Sequence, residues 1–301
     1  MKGHPAAVSR SDKPFVGIGL ILLAGVFLSA ADAVSKFLTA EIPPLQVTWL
    51  RYGTFTILML AAVFYSGGVD LLRTHRPMQQ FLRGVGVTLS SIFFVIGIKY
   101  LPIADATATG FVAPLFVTAL SIPLLGEVIG WRRWTATIVG LIGVLIVVRP
   151  GGAGFGLASM LPVLSALAWA FAMIVTRMMA ATERPLTTLA YSAMIGFAMV
   201  CVVMPFVWVP LTLWQIGLGV FVGVSSTVGH LFVVMAFRHA DASLLAPFSY
   251  MQLFWASIFG FLLFAVLPDL WTWIGAVVIA ASGLYTAHRE RVRARDALKA
   301  S

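Results

Sequence analysis

Ten long apolar stretches follow one another along this chain, with almost no charged residues inside them. A soluble domain carries roughly 25% charged residues, whereas 10% of these 301 residues are charged and 60% are hydrophobic. The mean hydropathy is +0.98. A membrane-spanning helix needs about 20 apolar residues, so the chain is predicted to cross a membrane ten times and to have only short loops.

The predicted fold class is therefore an all-α membrane protein with ten transmembrane helices. Proline and glycine pairs separate the stretches, as at Pro43-Pro44 and Gly67-Gly68. A cleaved signal peptide is not expected, because the first stretch is long enough to span a bilayer. The predicted helices are 15–38, 45–66, 79–98, 104–124, 133–149, 155–177, 187–208, 212–237, 243–264 and 270–287.

Basic residues are distributed very unevenly between the two sides of the predicted bundle. With the N-terminus in the cytoplasm, the opposite side holds only Lys99 and Arg149, and the cytoplasmic segments hold nearly all the others, Arg83 included. Since cytoplasmic loops are enriched in Lys and Arg, both termini are predicted to be cytoplasmic in a multi-pass inner (plasma) membrane protein. The net charge of +9 then needs no nucleic acid partner, and the basic tail 289–301 is expected to lie against anionic lipid headgroups.

The two halves of the chain resemble each other at an offset of about 140 residues. Each half would hold five helices, an odd number, so the second half must enter the membrane inverted. Inverted repeats around a central site are typical of secondary transporters. The matching positions are Lys36, Pro44 and Leu45 with Arg177, Pro185 and Leu186, and also Lys99, Tyr100 and Trp134 with Arg238, His239 and Trp273.

Several longer motifs carry a family resemblance. They include "DAVSKFL" at the end of the first helix, "PPLQVTWLRYGTFTILML" across the second, and "AFRHADASLLAPFSYMQLFWASIFGFLLF" in the second half. On these motifs the chain resembles the drug/metabolite transporter superfamily, in its EamA branch, over residues 15–288 or so. The resemblance implies two inverted five-helix repeats, at 15–150 and 155–288, with alternating access at a central cavity and no ATP hydrolysis. One departure is visible: the family's glutamate is present at Glu127, but the matching position in the second half is Val266.

Three charged side chains lie clearly within predicted spans: Asp32, Lys36 and Arg51. Asp32 and Lys36 share a helix face because they are four residues apart. One interpretation is a structural ion pair, with Lys36 reaching out to the membrane surface. The other is that Asp32 and Arg51 line the cavity and bind charged or polar cargo, since charges at membrane depth usually have a function.

His230 lies within the eighth helix and could relay a coupling proton, because histidine titrates near neutral pH. A histidine that only bonds between helices is the alternative. The neighbouring Ser225, Ser226 and Thr227 can bond to their own helix backbone and so need no ligand.

Aromatic residues near the middle of the spans suggest a cavity wall. Trp169 lies in the sixth helix, and Tyr250, Gln252 and Trp255 follow Pro247 in the ninth. Such a wall would suit a flat molecule with polar edges, although most aromatic residues in a bundle simply pack.

The predicted function is secondary transport of a small organic metabolite, with a slight preference for a ring-bearing compound such as riboflavin. Export of amino acids, S-adenosylmethionine-like metabolites or drugs is the alternative. An intramembrane enzyme is a remote one, because one buried aspartate and one buried histidine are too few for such chemistry. A membrane protein without cargo is a third. The expected partners are the small-molecule substrate and membrane lipid. No cofactor, metal site or disulfide is expected, since Cys201 is the single cysteine.

Overall fold

The structure is a computed structural model that describes residues 14–126, 131–149, 156–179, 182–240, 245 and 248–300. Glu127 and Pro247 lie outside these ranges. The described residues form eleven α-helices and two short 3₁₀ turns, at Gly68–Leu72 and Leu157–Met160. The helices are α1 (Pro14–Leu38), α2 (Pro44–Ser66), α3 (Pro77–Tyr100), α4 (Ile103–Gly110), α5 (Ala113–Leu125), α6 (Trp131–Val148), α7 (Leu161–Met179), α8 (Pro185–Val207), α9 (Leu213–His239), α10 (Met251–Phe264) and α11 (Leu270–Ala300).

These helices make ten apolar spans. Seven segments are both long enough and apolar enough to cross a membrane, and one of them joins α4 and α5 in a single span, Ile103–Leu125. Three shorter apolar helices, Trp134–Val148, Met251–Phe264 and Leu270–Tyr285, supply the other three. The ten-helix fold predicted from the hydropathy pattern is confirmed.

Proline fixes where several helices begin. Pro44, Pro77 and Pro185 each occupy the first turn of α2, α3 and α8, where the missing N–H of proline has no helical partner to lose. Helix α9 begins instead with a capping box, in which the Thr212 hydroxyl accepts from the Gln215 N–H and the Gln215 side chain accepts from the Thr212 N–H. These caps place most boundaries within about three residues of the sequence prediction.

The structure corrects three predicted helices. The fourth, predicted as continuous over 104–124, is broken between α4 and α5, because Pro114 has no N–H to bond to the carbonyl of Gly110. The ninth, predicted as continuous over 243–264, is helical at residues 245, 248 and 249 and is interrupted by a turn at Tyr250 before α10 begins at Met251. The tenth continues past the predicted end at 287 to Ala300, so the basic tail extends the last helix beyond its apolar part.

Helix packing follows an inverted two-fold pattern. Helix α1 packs on α9 as α3 packs on α7, and α2 packs on α9 as α3 packs on α8. Likewise α1 packs on α10 as α5 packs on α7. Helices α2 and α6 pack directly on their own counterparts, α8 and α11. These contacts between the two five-helix repeats thus recur when the repeats exchange roles.

Each repeat is also bonded to a loop of the other. At the start of α2, the Gln46 amide donates to the Val209 carbonyl at 2.7 Å and its oxygen accepts from the Val209 N–H at 3.3 Å. At the start of α8, 141 residues later, the Thr187 hydroxyl donates to the Leu71 carbonyl at 2.6 Å. We call the end of the bundle where α3 and α8 begin the basic end, and the end where α2 and α9 begin the far end.

A carboxylate network joins the repeats at the far end. Arg149 Nη2 lies 2.6 Å from Asp269 Oδ2, and Asp269 Oδ1 accepts from the Thr272 N–H at 2.8 Å, which caps α11. The Thr272 hydroxyl lies 2.8 Å from Asp105 Oδ1 and 2.9 Å from Asp269 Oδ1. Because a hydroxyl has one proton, Thr272 can donate to only one of these two carboxylates at a time.

Asp269→Ala is expected to lower the free energy of unfolding by about 1 kcal/mol, because it removes the cap of α11. Burial alone would raise the pKa of Asp269, but hydrogen bonds from Thr272 and Arg149 outweigh it and hold the pKa below its ordinary value. A carboxyl of this kind stabilises the fold above its unfolded pKa, and the effect is lost as pH falls through the folded pKa. Unfolding measured in detergent near neutral pH should therefore show the full loss of unfolding free energy in Asp269→Ala. The exposed Asp70→Ala is the control, and an equal loss there would contradict the capping role.

Candidate functional site

The structure brings some of the predicted site residues together and separates others. Asp32 on α1 faces Arg51 on α2, with Oδ1 and Nη1 3.9 Å apart. Both side chains are largely buried, 10% and 16% exposed. This separation is long for an ion pair, so the two charges balance each other without a tight hydrogen bond and could exchange partners with a bound molecule.

Lys36 does not join that pair. Its ammonium donates to the carbonyls of Ile98 and Leu101 at 2.6 and 2.7 Å, and it lies 5.5 Å from the centre of the Phe264 ring. The helical partner of the Ile98 carbonyl would be residue 102, a proline with no N–H. Lys36 therefore caps the end of α3 rather than reaching to the membrane surface, and it lines a far-end cavity of about 210 Å³.

Lys36→Met is expected to lower the free energy of unfolding by about 2 kcal/mol, since hydrogen bonds from a charged donor contribute about 1.5–3 kcal/mol and the two carbonyls would lose their donor. Lys99→Met is a matched control, because Lys99 also lies in the last turn of α3 but is exposed, with its ammonium over the Tyr100 ring. Thermal unfolding of both variants in detergent measures the difference. Equal midpoints would mean that Lys36 does not cap α3.

His230 is a link between the charged and the aromatic residues. Its Nδ1 lies 2.7 Å from the Ser226 carbonyl on its own helix, and its ring centre lies 6.3 Å from that of Trp169 on α7. The charges of Arg51 and Arg83 both contribute to the electrostatic environment of His230. The prediction that nearby hydroxyls bond to their own helix holds for Thr227, which bonds to Gly223, but Ser225 donates to Phe27 of α1.

Arg83 is a buried charge that the sequence analysis placed at the cytoplasmic flank. It is 7% exposed and lies six residues into α3, about 9 Å along the helix axis at 1.5 Å per residue. The predicted helix 79–98 already contained Arg83, so its position inside a span was the available signal. The sequence analysis missed this signal because it counted Arg83 among the basic residues on the cytoplasmic side of the membrane.

An aromatic pair lies where two interrupted spans meet. Phe111 ends the first half of the broken fourth span, and Tyr250 immediately precedes α10. Their ring centres are 4.8 Å apart, and the two positions are 139 residues apart, which makes them counterparts in the inverted repeats. Trp169 packs against the same buried cluster as Phe111. The interrupted helices therefore bring an aromatic surface to the internal symmetry axis.

Gln252 and Trp255 complete this region from α10. The Gln252 carbonyl accepts from the Ser29 hydroxyl of α1 at 3.1 Å. The indole N–H of Trp255 is buried and has no hydrogen-bond partner among the described residues, and the same holds for the hydroxyl of Ser226. Buried polar groups are normally paired, so these groups remain available to a polar ligand.

Comparison with known proteins gives the same picture. The chain matches the EamA-like transporter family over residues 15–149 and 156–286. It is 30% identical to an S-adenosylmethionine uptake transporter of Rickettsia bellii, over 92% of this chain and 94% of that protein. It is also 30% identical to a riboflavin transporter of Rhizobium johnstonii, over 93% of each chain.

Two further likenesses extend the comparison. A pseudopaline exporter of Pseudomonas aeruginosa is 28% identical over 88% of this chain and 94% of its own length. A solved crystal structure with 19% sequence identity shares the fold, with a TM-score of 0.63 over 93% of this chain and 98% of that one. The fold, its two inverted repeats and the family match agree, and this multi-pass membrane protein belongs to the EamA-like transporter family.

Proposed function

We propose that this protein is a secondary transporter that moves a small, ring-bearing organic metabolite by alternating access, and that it is not an enzyme. The observation that carries the proposal is the contact between Phe111 and Tyr250 at the internal symmetry axis, 4.8 Å between ring centres. An aromatic surface at this position can stack against a planar ring while the repeats exchange conformations around it. Relatives named as an S-adenosylmethionine uptake transporter and as a riboflavin transporter make those two compounds the first candidates.

The proposed transport cycle uses the symmetry of the repeats. The bonds of Gln46 and Thr187 to the loops of the opposite repeat are equivalent under exchange of the repeats. Opening one end while the other stays closed therefore needs only that the two repeats adopt each other's conformation. The site at the axis is then exposed first to one side of the membrane and then to the other.

The proposed orientation has both termini in the cytoplasm of a bacterial-type inner membrane, with repeats at 15–150 and 155–288. It rests on the concentration of lysine and arginine at the basic end, which the tail 289–301 continues. Reporter fusions after Ser66 and after Val207 measure it. The first should be active as a cytoplasmic reporter, and the second only as a reporter of the opposite side.

Proton coupling is proposed to involve Asp32 or His230, an acid and a base that lie within the bundle. If uptake is driven by a proton gradient, Asp32→Asn or His230→Gln should still bind cargo but lose the acceleration that the gradient gives. A carrier that only equilibrates its cargo would show no gradient dependence in the wild type either.

Uptake by proteoliposomes tests the proposed cargo class. The panel contains S-adenosylmethionine, riboflavin and several amino acids, each with and without a pH gradient. Saturable uptake of a ring-bearing compound supports the proposal, and Phe111→Ala or Tyr250→Ala should then weaken its affinity by about tenfold, since aromatic stacking contributes about 0.5–1.5 kcal/mol. Saturable uptake of amino acids alone would overturn the ring-bearing class.

A further inference from the structure

Arg83 is held in place by three polar groups of the second repeat. Its Nε donates to the Thr176 hydroxyl of α7 at 3.1 Å, and its Nη1 donates to the Thr188 carbonyl of α8 at 3.0 Å and also to the Ser192 hydroxyl. The second terminal nitrogen, Nη2, makes no hydrogen bond to a described residue. The hydrogen bonds of Nε and Nη1 therefore orient the guanidinium, while the N–H groups of Nη2 remain as donors for another partner.

None of these partners carries a negative charge. Among the described residues, no carboxylate forms an ion pair with Arg83. The acidic group of the same hydrogen-bond network, Glu183, is engaged elsewhere: it accepts from the Thr74 hydroxyl at 2.8 Å, from the His75 N–H at 2.8 Å and from the Gln80 amide at 3.1 Å. Arg51 differs in this respect, because it faces Asp32.

An unpaired charge inside a membrane protein is costly. A buried guanidinium needs a compensating anion or a full set of acceptors, and charges within membrane spans usually face a water-filled or ligand-binding cavity. Hydroxyl and carbonyl dipoles satisfy part of Arg83, but they leave its net charge in place. A counter-ion supplied by the cargo would remove this cost each time the cargo binds.

The charges of Arg83 and Arg51 both contribute to the electrostatic environment of His230 and of the buried Tyr52. Among these groups Asp32 is the one carboxylate, and it faces Arg51. The ring of His230 in turn lies 6.3 Å from that of Trp169, which connects this environment to the aromatic surface.

We infer that Arg83 binds an acidic group of the cargo, a carboxylate or a phosphate, so that the transported molecule is a ring-bearing metabolite with an acidic group. This inference rests on the proposed function and narrows it. Arginine suits the task because its planar fork can bond to both oxygens of an acid group. Of the two candidates, S-adenosylmethionine offers Arg83 a carboxylate, beside an ammonium and a sulfonium that need other partners, whereas riboflavin has no acidic group.

Paired ligands that differ only in the acidic group test this on the wild-type protein. One pair is S-adenosylmethionine and its decarboxylated form, and the other is riboflavin 5′-phosphate and riboflavin. Competition against the labelled compound that the panel identifies gives an affinity for each ligand. We expect the acidic member of at least one pair to bind tenfold or more tightly, as one charge-assisted hydrogen bond allows.

The variant Arg83→Gln should then bind both members of that pair about equally, since glutamine keeps a donor but loses the charge. Arg83→Lys should keep part of the preference. The control is Arg73→Gln, which removes an exposed arginine at the same end of the bundle, 85% exposed in its side chain, and should leave the preference intact.

A purely structural Arg83 predicts a different result: Arg83→Gln would lower the amount of folded protein but would leave the ligand preference unchanged in what remains. That result overturns the inference. Equal binding of the acidic and non-acidic members by the wild-type protein also overturns it, and this measurement does not depend on the folding of any variant. Both leave transport of a ring-bearing compound untouched. If the wild type takes up no ring-bearing compound at all, it is the proposed function that fails.

Discussion

Removing Asp32 alone is expected to destabilise the protein strongly, and removing Asp32 and Arg51 together is expected to restore most of the loss. Asp32→Leu leaves the buried guanidinium of Arg51 without its opposing charge, and breaking a buried pair from one side costs about 3–5 kcal/mol. The separation of 3.9 Å places this pair towards the lower value. The double variant Asp32→Leu with Arg51→Met removes both charges and fills the space with apolar atoms.

Thermal unfolding in detergent measures the stability of the four proteins of this cycle, and proteoliposome uptake measures their activity. We expect the double variant to unfold near the wild-type temperature and yet to transport poorly, because the pair also lies beside the site. If the double variant is as unstable as the sum of the single variants, the two charges do not balance each other. A stable and fully active double variant would assign the pair a structural role alone.

Glycine substitutions between α6 and α11 are expected to have the second large effect. A Cβ at Gly143 would lie 2.8 Å from Ile279 Cγ1 and 3.0 Å from the Gly275 carbonyl, and one at Gly275 would lie 2.7 Å from the Gly143 carbonyl. Backbone atoms cannot move aside as the end of a side chain can. Small residues allow such close approach of membrane helices, so Gly143→Ala and Gly275→Ala should each cost about 1–3 kcal/mol.

The matched control for these variants is Gly217→Ala on α9, where a Cβ would meet nothing within 4 Å. There the substitution should be neutral or stabilising by up to about 1 kcal/mol, since alanine favours helix more than glycine does. The unfolding temperature should therefore fall for Gly143→Ala and Gly275→Ala, and it should stay unchanged or rise for Gly217→Ala. Equal effects at Gly275 and Gly217 would show that α6 and α11 do not pack through these glycines.

The sequence predicts the ten spans well, because apolar length and proline position act locally. Pro44, Pro77 and Pro185 begin helices where the pattern places them. The contact of Phe111 with Tyr250 could also have been predicted from the sequence. The two residues are 139 positions apart, and the same offset already relates Tyr100 to His239 in the repeat comparison. The break of the fourth span has a local cause in Pro114.

The partners of the buried charges were beyond sequence reasoning. Lys36 shares a helix face with Asp32, and that spacing suggested an ion pair. Its bonds to Ile98 and Leu101 depend instead on how α1 and α3 cross. Arg83 was assigned to the cytoplasmic flank because it lies near the start of its helix. Its burial against the second repeat depends on how α3 packs on α7 and α8, which the sequence does not show. Whether any of these residues binds cargo stays a prediction.

Counterflow in proteoliposomes tests the central claim, alternating access by inverted repeats, most directly. Vesicles are loaded with an excess of the unlabelled compound that the uptake panel identifies, and a trace of the labelled compound is added outside. A carrier that exposes one site to each side in turn should accumulate label transiently above its equilibrium level, and Gly275→Ala should reduce this overshoot in proportion to the folded protein. Label that only equilibrates, at a rate that does not saturate, would contradict the account.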